Sequence, residues 1–588
     1  MKVNGYIMKK KRIIAALFLP SVLGITLFFI VPFLLTLSSS FKSDLLPGSK
    51  YHIKNYLSTI TNPMFQLGVK NFLIFSIIAL ASTVILSLTL AIFLKKTGRN
   101  FLILFFSILL PFVIPSGSTA FFWNSIFGLN GAINRILCQY EMEIIMWDSS
   151  KWSILIPVFI YIWKFSGFFT LVFFNGLNNI PEEYYEIAKL EGAGEVLLFR
   201  KITLVFLTPT LMTVLFLSFI ATFRISKEMF MLFGKYPNSN LYFIQHFINN
   251  QLANMNLPIL SSATVIILVF IYLLMIPIWK SAQKTSDDFQ KRGENNISTK
   301  RNLGKREFVI FFLISFVFLL PIIFTLSNSL MSTAEVVSRY STIVTEQNIE
   351  DLSRRGLHFV NITLFPTHGT INQYIEFLRN PMLLRMFWNS VFIVSFVLIF
   401  QIPISVAASY AFWRVREKTN LFLILYIFLM IIPTQVLITP QYILFHILGI
   451  KDSYWPIVLP AIFNPIGVYI IRLQLQGFPR ECIEAAQLDG ADEIHILFKI
   501  VSPNIKASIV ILAIYIFSEF WNIVDQAVVF IKSVHLLPLS VYLSNMLQED
   551  IGIISSGSII YMLPPCLMFV ACLLWANQSK PSNILNGK

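Results

Sequence analysis

Charge is scarce in this chain. Only 13% of its 588 residues are Asp, Glu, Lys or Arg, against 56% hydrophobic ones, and a soluble domain carries about 25% charge. A water-facing globular surface is thereby excluded for most of the length. Cysteine is rarer still. Cys138, Cys482, Cys566 and Cys572 show no CxxC spacing and no neighbouring histidines, so no metal set is written in them and they read as ordinary thiols in apolar surroundings. The seven histidines, among them His52, His246, His358, His446 and His495, are scattered over unrelated segments and give no catalytic constellation. No GxxxxGK(S/T) phosphate loop occurs.

What is present in quantity is apolar sequence, with Phe alone filling 57 positions. A hydrocarbon core of about 30 Å takes about 20 helical residues to cross, and twelve runs meet that length. Six cover about 13–37, 71–94, 101–127, 153–177, 203–223 and 258–279. Six more cover about 308–330, 386–413, 420–447, 454–475, 505–525 and 551–575. Several carry prolines, such as Pro111 and Pro115 or Pro433 and Pro440, which kink a membrane helix. The first run follows Lys9, Lys10, Lys11 and Arg12 but is too long for a signal core, and is expected to be an uncleaved helix.

The net charge of +15 lies in short tracts between these runs rather than on one polar face, which argues against nucleic acid. The N-terminal tract, Lys95, Lys96 and Arg99, and Arg414, Arg416 and Lys418 fall on one side if the spans alternate, placing both termini in the cytoplasm. Lys42, Lys50, Lys54 and Lys70 dissent from that pattern. The expected division is a first half over 1–279, a flexible cytoplasmic linker over 280–307 and a second half over 308–588. The longest external segment, about 331–385, has room for a small folded element.

An internal repeat carries the most information. PEEYYEIAKLEGAGEVLLFRKI from Pro181 matches PRECIEAAQLDGADEIHILFKI from Pro479 without a gap, at an offset of 298 residues and with ten of 22 positions identical. Average composition would give about one or two. Each copy follows the fourth span of its half, so both face the cytoplasm. Each reads as a short helix, a turn at Gly192 or Gly490, and a second helix feeding the next span. Ala188 with Gly192, and Ala486 with Gly490, share a helical face and leave a shallow surface for another protein to approach.

Both loops resemble the EAA motif of permeases in binding-protein-dependent ABC importers. The second carries Glu484, Ala485, Ala486, Asp489, Gly490, Ala491, Ile500 and Pro503; the first has Glu186, Ala188, Gly192 and Ala193 but departs at Ile187, Glu191 and Val205. MIIPTQVLITPQYILFHILGIKDSYWPIVLPAIF and FSEFWN in the second half are similar to the smaller permease of maltose and glycerol-phosphate type systems, and FFIVPFLLTLSSSF in the first to the larger one. The resemblance implies an all-α polytopic membrane protein of two tandem six-helix type I importer domains, with coupling loops at 181–209 and 479–507. It also implies no catalytic residues here, ATP and Mg on two partner ATPase subunits, and a solute-binding protein delivering a sugar or related solute. In these systems the two domains are normally separate chains; here they are fused.

Substrate-pathway candidates are Asn389, Asn464, Trp521 and Asn522, because amides and aromatic faces suit sugar hydroxyls and polar groups within a bilayer are costly. Each has a plainer reading as an interhelical bond or an interface anchor. Lys164, Arg224, Arg472, Glu519 and Asp525 near span ends are expected to reach the interface or pair with one another. The rival class is a twelve-helix ion-coupled carrier, which favours ionisable residues deep in the spans. The sequence offers almost none.

Overall fold

The computed structural model describes residues 2–42, 51–96, 106–178, 180–289, 305–345, 359–360, 365–415, 425–426, 428–430, 432, 434–476, 478, 480–544 and 550–577. Among these the regular elements are all helical. Eight are long and apolar enough to cross a membrane: Arg12–Ser40, Pro63–Lys95, Leu155–Asn178, Glu195–Phe233, Phe312–Ser329, Pro381–Arg414, Trp455–Leu475 and Ile551–Cys572. The other four expected spans take different forms. The third is a pair, Phe106–Phe112 and Ser116–Gln139, bent by 101° where Pro111 and Pro115 each remove a backbone donor. The ninth has a shorter apolar helix, Leu437–Ile447, and the sixth lies in the 33-residue helix Leu257–Phe289.

The eleventh is also broken. Glu493–Asn504 meets Lys506–Trp521 at 80°, whereas its counterpart in the first half runs on from Glu195 to Phe233. The sequences differ at the break: Pro503 stands where the first half has Val205. Pro503 has no N–H to give and crowds the preceding turn, so the helix ends two residues later.

The linker is shorter than expected. One helix runs through Leu257–Phe289 and the next begins at Lys305, because Lys280 to Phe289 contains no glycine or proline to stop it. Only 290–304 separate them, and these lie outside the described residues, as do Arg99, Arg416, Lys418 and Lys50. The segment over 331–385 does contain a folded element, the helix Thr333–Thr345. Glu335 ties it down by accepting from the Thr367 backbone at 2.8 Å and hydroxyl at 2.6 Å, and by pairing with Arg339 at 2.5 Å.

The two halves exchange their first spans. Phe18 meets Phe412 edge-on at 4.6 Å between ring centres, Ser21 bonds Tyr426 at 2.8 Å, and Phe28 stacks on Phe445 and Phe463. Reciprocally, the Lys305–Ser329 helix packs on the first half, its Phe324 stacking on Phe121 and its Phe318 carbonyl accepting from the Trp163 indole at 3.1 Å. The Lys2–Ile25 part of the first helix thus packs on the second half while its Val31–Ser40 part also packs on Leu257–Phe289 of its own half, and Lys305–Ser329 touches the first half while packing mainly on Ile551–Asn577 of its own.

Duplication extends beyond the loops read from sequence. Lys54–Ile60 followed by the 34-residue helix Pro63–Lys96 recurs as Asn372–Arg379 followed by the 34-residue Pro381–Arg414. Asn62 and Asn380 cap the long helices through the N–H of Met64 at 2.9 Å and of Met382 at 3.0 Å. Just upstream, Ser40 bonds Tyr56 at 2.7 Å and Ser329 bonds Tyr374 at 2.7 Å. Asn71 donates to the carbonyls of Ser239 and Tyr242, and Asn389 to those of His535 and Leu537, so one amide in each half pins the chain that follows the fifth span.

Candidate functional site: two matched elbows and a cavity between the halves

Each repeated loop folds as an elbow. The helices Glu183–Leu190 and Arg480–Leu488 end in glycines of positive φ, +84° at both Gly192 and Gly490. The residue after each glycine closes the helix in the same way. Ala193 donates to the Ala188 carbonyl at 2.9 Å, and Ala491 to that of Ala486 at 3.0 Å. This six-to-one bond needs a left-handed residue, and glycine adopts that conformation without a Cβ penalty. A short helix and a π-helical turn follow in both copies, Phe199–Thr203 and Ile496–Val501, and lead into the fifth and eleventh spans.

The outward face of the elbows differs from the one expected. Ala486 is buried and Ala188 half-buried, so these alanines turn toward their own halves rather than offering a shallow groove. Glu186, Ile187, Glu191 and Gly192 are exposed in the first elbow, and Glu484, Ala485, Asp489 and Gly490 in the second; Ala193 and Ala491 are half-buried. Between the acids protrude Leu190, 89% exposed, and Leu488, 90% exposed. Sequence reasoning left these two out of the site. The signal was available: an identical leucine two residues before an identical turn glycine, at a place where water should have favoured a polar residue.

The elbows are anchored differently. In the second, Ile483 is fully buried and Glu493 is drawn into its half, where it accepts from Tyr410, Gln487 at 2.9 Å and Arg414 at 3.2 Å. Its counterpart Glu195 is exposed. The first elbow is held by Tyr185, which bonds Thr203 at 2.9 Å under the Lys95 ammonium, 5.8 Å above the ring. The short turn helix Glu183–Leu190 buries no residue.

A polar belt joins the halves at a distance from the elbows. Arg224 pairs with Glu519 at 2.6 Å and bonds Tyr515, whose ring also lies 4.7 Å from the guanidinium. Ser518 donates to the Phe112 carbonyl at 2.6 Å, and the Asn522 amide to that of Val113 at 3.2 Å. Beside this belt opens a cavity of about 610 Å³, its solvent-open part included, whose polar lining is Lys227, Gln441, Asn464, Glu519, Asp525 and Gln526. Both signs of charge and three amides therefore face one space.

Of the four pathway candidates, Asn464 lines this cavity and also caps the next helix through Ile466 N–H at 3.1 Å. Asn522 stands behind the wall, its carbonyl accepting from Lys227 at 3.1 Å. Trp521 is buried in the second half, stacked on Tyr561 at 4.5 Å with its indole donating to the Tyr561 carbonyl at 3.0 Å. Asn389 spends both amide donors on loop carbonyls and accepts from Tyr454 at 2.8 Å. Asn464 thus lines the cavity, Asn522 reaches it only through Lys227, and Trp521 and Asn389 line no part of it.

The expected pairing of charges is seen for Arg224 with Glu519, and Lys164 also pairs, with a partner the sequence did not suggest. Lys164, inside the helix Leu155–Asn178, is buried against Glu228, and each neutralises the other with Ser116 at 3.4 Å from the ammonium. Paired this way, the two charges avoid the cost of facing lipid singly.

A family model described as "Binding-protein-dependent transport system inner membrane component" matches the chain twice, over residues 83–285 and 401–576. The arabinooligosaccharides transport system permease protein AraQ of Halalkalibacterium halodurans is 28% identical over 225 residues, 37% of this chain and 80% of the relative. AraP, a permease protein of the arabinooligosaccharides transport system of Bacillus subtilis, is 30% identical over 228 residues, 38% of this chain and 72% of the relative. The maltodextrin transport system permease protein MdxG of Bacillus subtilis is 26% identical over 216 residues, 35% and 76%. Among solved structures, a bacterial ABC transporter that imports alginate aligns with 18% identity and a TM-score of 0.41, over 48% of this chain and 99% of that one.

Proposed function

The chain belongs to the family of binding-protein-dependent transport system inner membrane components, and from that premise we propose that it forms by itself the whole translocation pathway of a sugar importer, each elbow docking one ATPase subunit. As a member of this family it is a multi-pass membrane permease of an ABC importer and works with a solute-binding protein and an ATPase. The proposal concerns the stoichiometry, the docking residues and the solute. Its main support is the pair of elbows, alike in turn glycine, closing bond and protruding leucine, each following the fourth span of its half.

Glu186, Glu191 and Gly192 with Leu190 form one docking surface in this reading, and Glu484, Asp489 and Gly490 with Leu488 the other. The leucines supply apolar area and the acids direction. ATP and Mg stay on the partners. ATP binding draws the two elbows together and tilts the halves about the belt; the loaded binding protein favours the opposite opening. Each ligand shifts the equilibrium only through its different affinity for the two states. The elbow face is cytoplasmic and so are both termini.

The sugar reading rests on the printed names of the relatives and on the amides, carboxylates and lysine of the cavity, which can bond hydroxyls at several angles. Asn464 is the candidate we place against solute and Asn522 the one that sets the wall; Asn389 and Trp521 act on structure.

Co-purification of the chain with ATPase subunits tests the docking. Wild type should retain two per chain, and Gly192→Asp combined with Gly490→Asp should insert normally and retain none. Nothing lies within 4 Å of a Cβ built on either glycine, so the change acts through the turn and its charge rather than through a clash. Capture of equal amounts by wild type and mutant would defeat the elbow assignment.

A further inference from the structure

The duplicated helices before the second and eighth spans have three distinct sides. Asn55 and Thr59 are buried in the first, and Gln373 and Phe377 occupy the same places in the second. Lys54 and Ser58, like Asn372 and Glu376, are polar and exposed. The third side is apolar and uncovered: Ile53, Leu57 and Ile60 in one, Ile371, Ile375 and Leu378 in the other, all between 37% and 72% exposed. Steps of four and three residues put each triplet on one stripe.

We propose that these two elements are membrane-surface helices, lying in the headgroup region of the leaflet opposite the elbows with protein, lipid and water each facing one side. The occupant of the apolar stripe is named by continuity. Past the Asn–Pro turn the exposed surface runs through Met64 and Met382, crosses Gln66 and Lys70 in one and Arg385 in the other, and is apolar again on the long helices, at Ile74, Ile77 and Ile85 in one and at Trp388, Phe392 and Ile399 in the other. These latter residues lie within the spans Pro63–Lys95 and Pro381–Arg414, where lipid is the neighbour. A stripe that leads across one basic residue, Lys70 or Arg385, onto a lipid-facing surface, and that is flanked by polar side chains, is the pattern of a helix seated at the interface. Placement at the headgroups also accounts for Lys54 and Lys70, exposed basic residues on the side that the charge rule leaves poor in them. The two elements serve as outriggers that fix the depth and tilt of the long helices during rocking.

Nitroxide accessibility tests this in the full chain reconstituted into phosphatidylglycerol-containing vesicles, with the native cysteines replaced by alanine. Labels at positions 57 and 375 should show an oxygen-to-nickel-chelate accessibility ratio severalfold above that of labels at 58 and 376. Labels at 60 and 378 repeat the measurement should the first pair impair insertion. Equal ratios on the two sides would overturn the proposal, since the stripe would then face water. So would a stripe open to the nickel reagent in vesicles and shielded only when a solute-binding protein is added, which would make it a protein docking face.

Discussion

Arg224 and Glu519 hold the two halves together at 2.6 Å, one contributed by the end of the fifth span and the other by the eleventh. The pair borders the cavity that Glu519 itself lines, so separating the halves there requires breaking it. Both side chains are partly exposed, and an ion pair of that kind contributes about 1 kcal/mol or less. Glu519→Gln or Arg224→Gln is expected to raise ATP hydrolysis without binding protein about fivefold, the factor that 1 kcal/mol gives. Arg224→Glu with Glu519→Arg should recover part of the control. ATPase assays on the four proteins in proteoliposomes check this; additive effects in the double variant would mean that the pair is not a latch.

The protruding leucines should matter to the partner and not to the fold. Leu190→Asp and Leu488→Asp each remove an apolar side chain that touches little of its own chain, so the melting midpoint in detergent should stay within the range expected of a surface change, about 0.5 kcal/mol. ATPase retention should fall by about tenfold for each, the cost of an interface anchor. A pull-down titration measures it.

Glu195 and Glu493 are the same residue at the same place in the repeat, yet their environments predict opposite outcomes. Removing Glu493 leaves Arg414 without its carboxylate in a largely buried setting, and Glu493→Ala should cost about 3 kcal/mol. Glu195→Ala, at an exposed position, should lie within about 0.5 kcal/mol of wild type. Chemical or thermal unfolding of the two variants side by side decides it. If only the second elbow is rigidly tied to its half, Glu493→Ala should also weaken the link between hydrolysis and transport, while Glu195→Ala should not.

His246 gives the structure a dependence on acidity. It sits on the helix Ile244–Ala253, outside the spans, against the rings of Phe230, Tyr242 and Phe243, and burial pushes its pKa down to about 4 from 6.5. The folded chain keeps it neutral while the unfolded chain protonates first. Its contribution is therefore present above pH 6.5 and is lost as pH falls toward 4, by about 3 kcal/mol in all. The stability gap between wild type and His246→Phe should narrow over that window; a gap that stays constant with pH would refute the burial of a neutral ring.

The sequence revealed the twelve apolar segments, the two elbows and their turn glycines, because each rests on a local rule: length for a span, positive φ for a glycine stop. It concealed the wider duplication for a different reason. PFLLTLSSS at Pro32 matches PIIFTLSNS at Pro321 with an offset of 289, Asn62-Pro63-Met64 matches Asn380-Pro381-Met382 with 318, and the elbows match with 298. Insertions in the loops change the offset between segments, so a comparison at one fixed spacing finds only one of them. The cavity was harder still. Lys227 and Glu519 converge only once the halves dock, and Asn389 and Asn464 look equally suited to a hydroxyl until their amides are seen occupied by backbone in one case and facing the cavity in the other.

The exchange of first spans sets an order on synthesis. Ser21 bonds a tyrosine 405 residues later in the chain, and the Phe28 carbonyl a glutamine 413 residues later. At about 5–20 residues per second, translation brings those partners to the membrane tens of seconds after the first helix has arrived. For that interval the leading helix has only its Val31–Ser40 part seated, on Leu257–Phe289, and the partners of Ser21 and Phe28 are still to come. The nascent first half is thus incomplete until the ninth segment is made, and a chain terminated between the halves would keep the Val31–Ser40 contact and lose those of Phe18, Ser21 and Phe28.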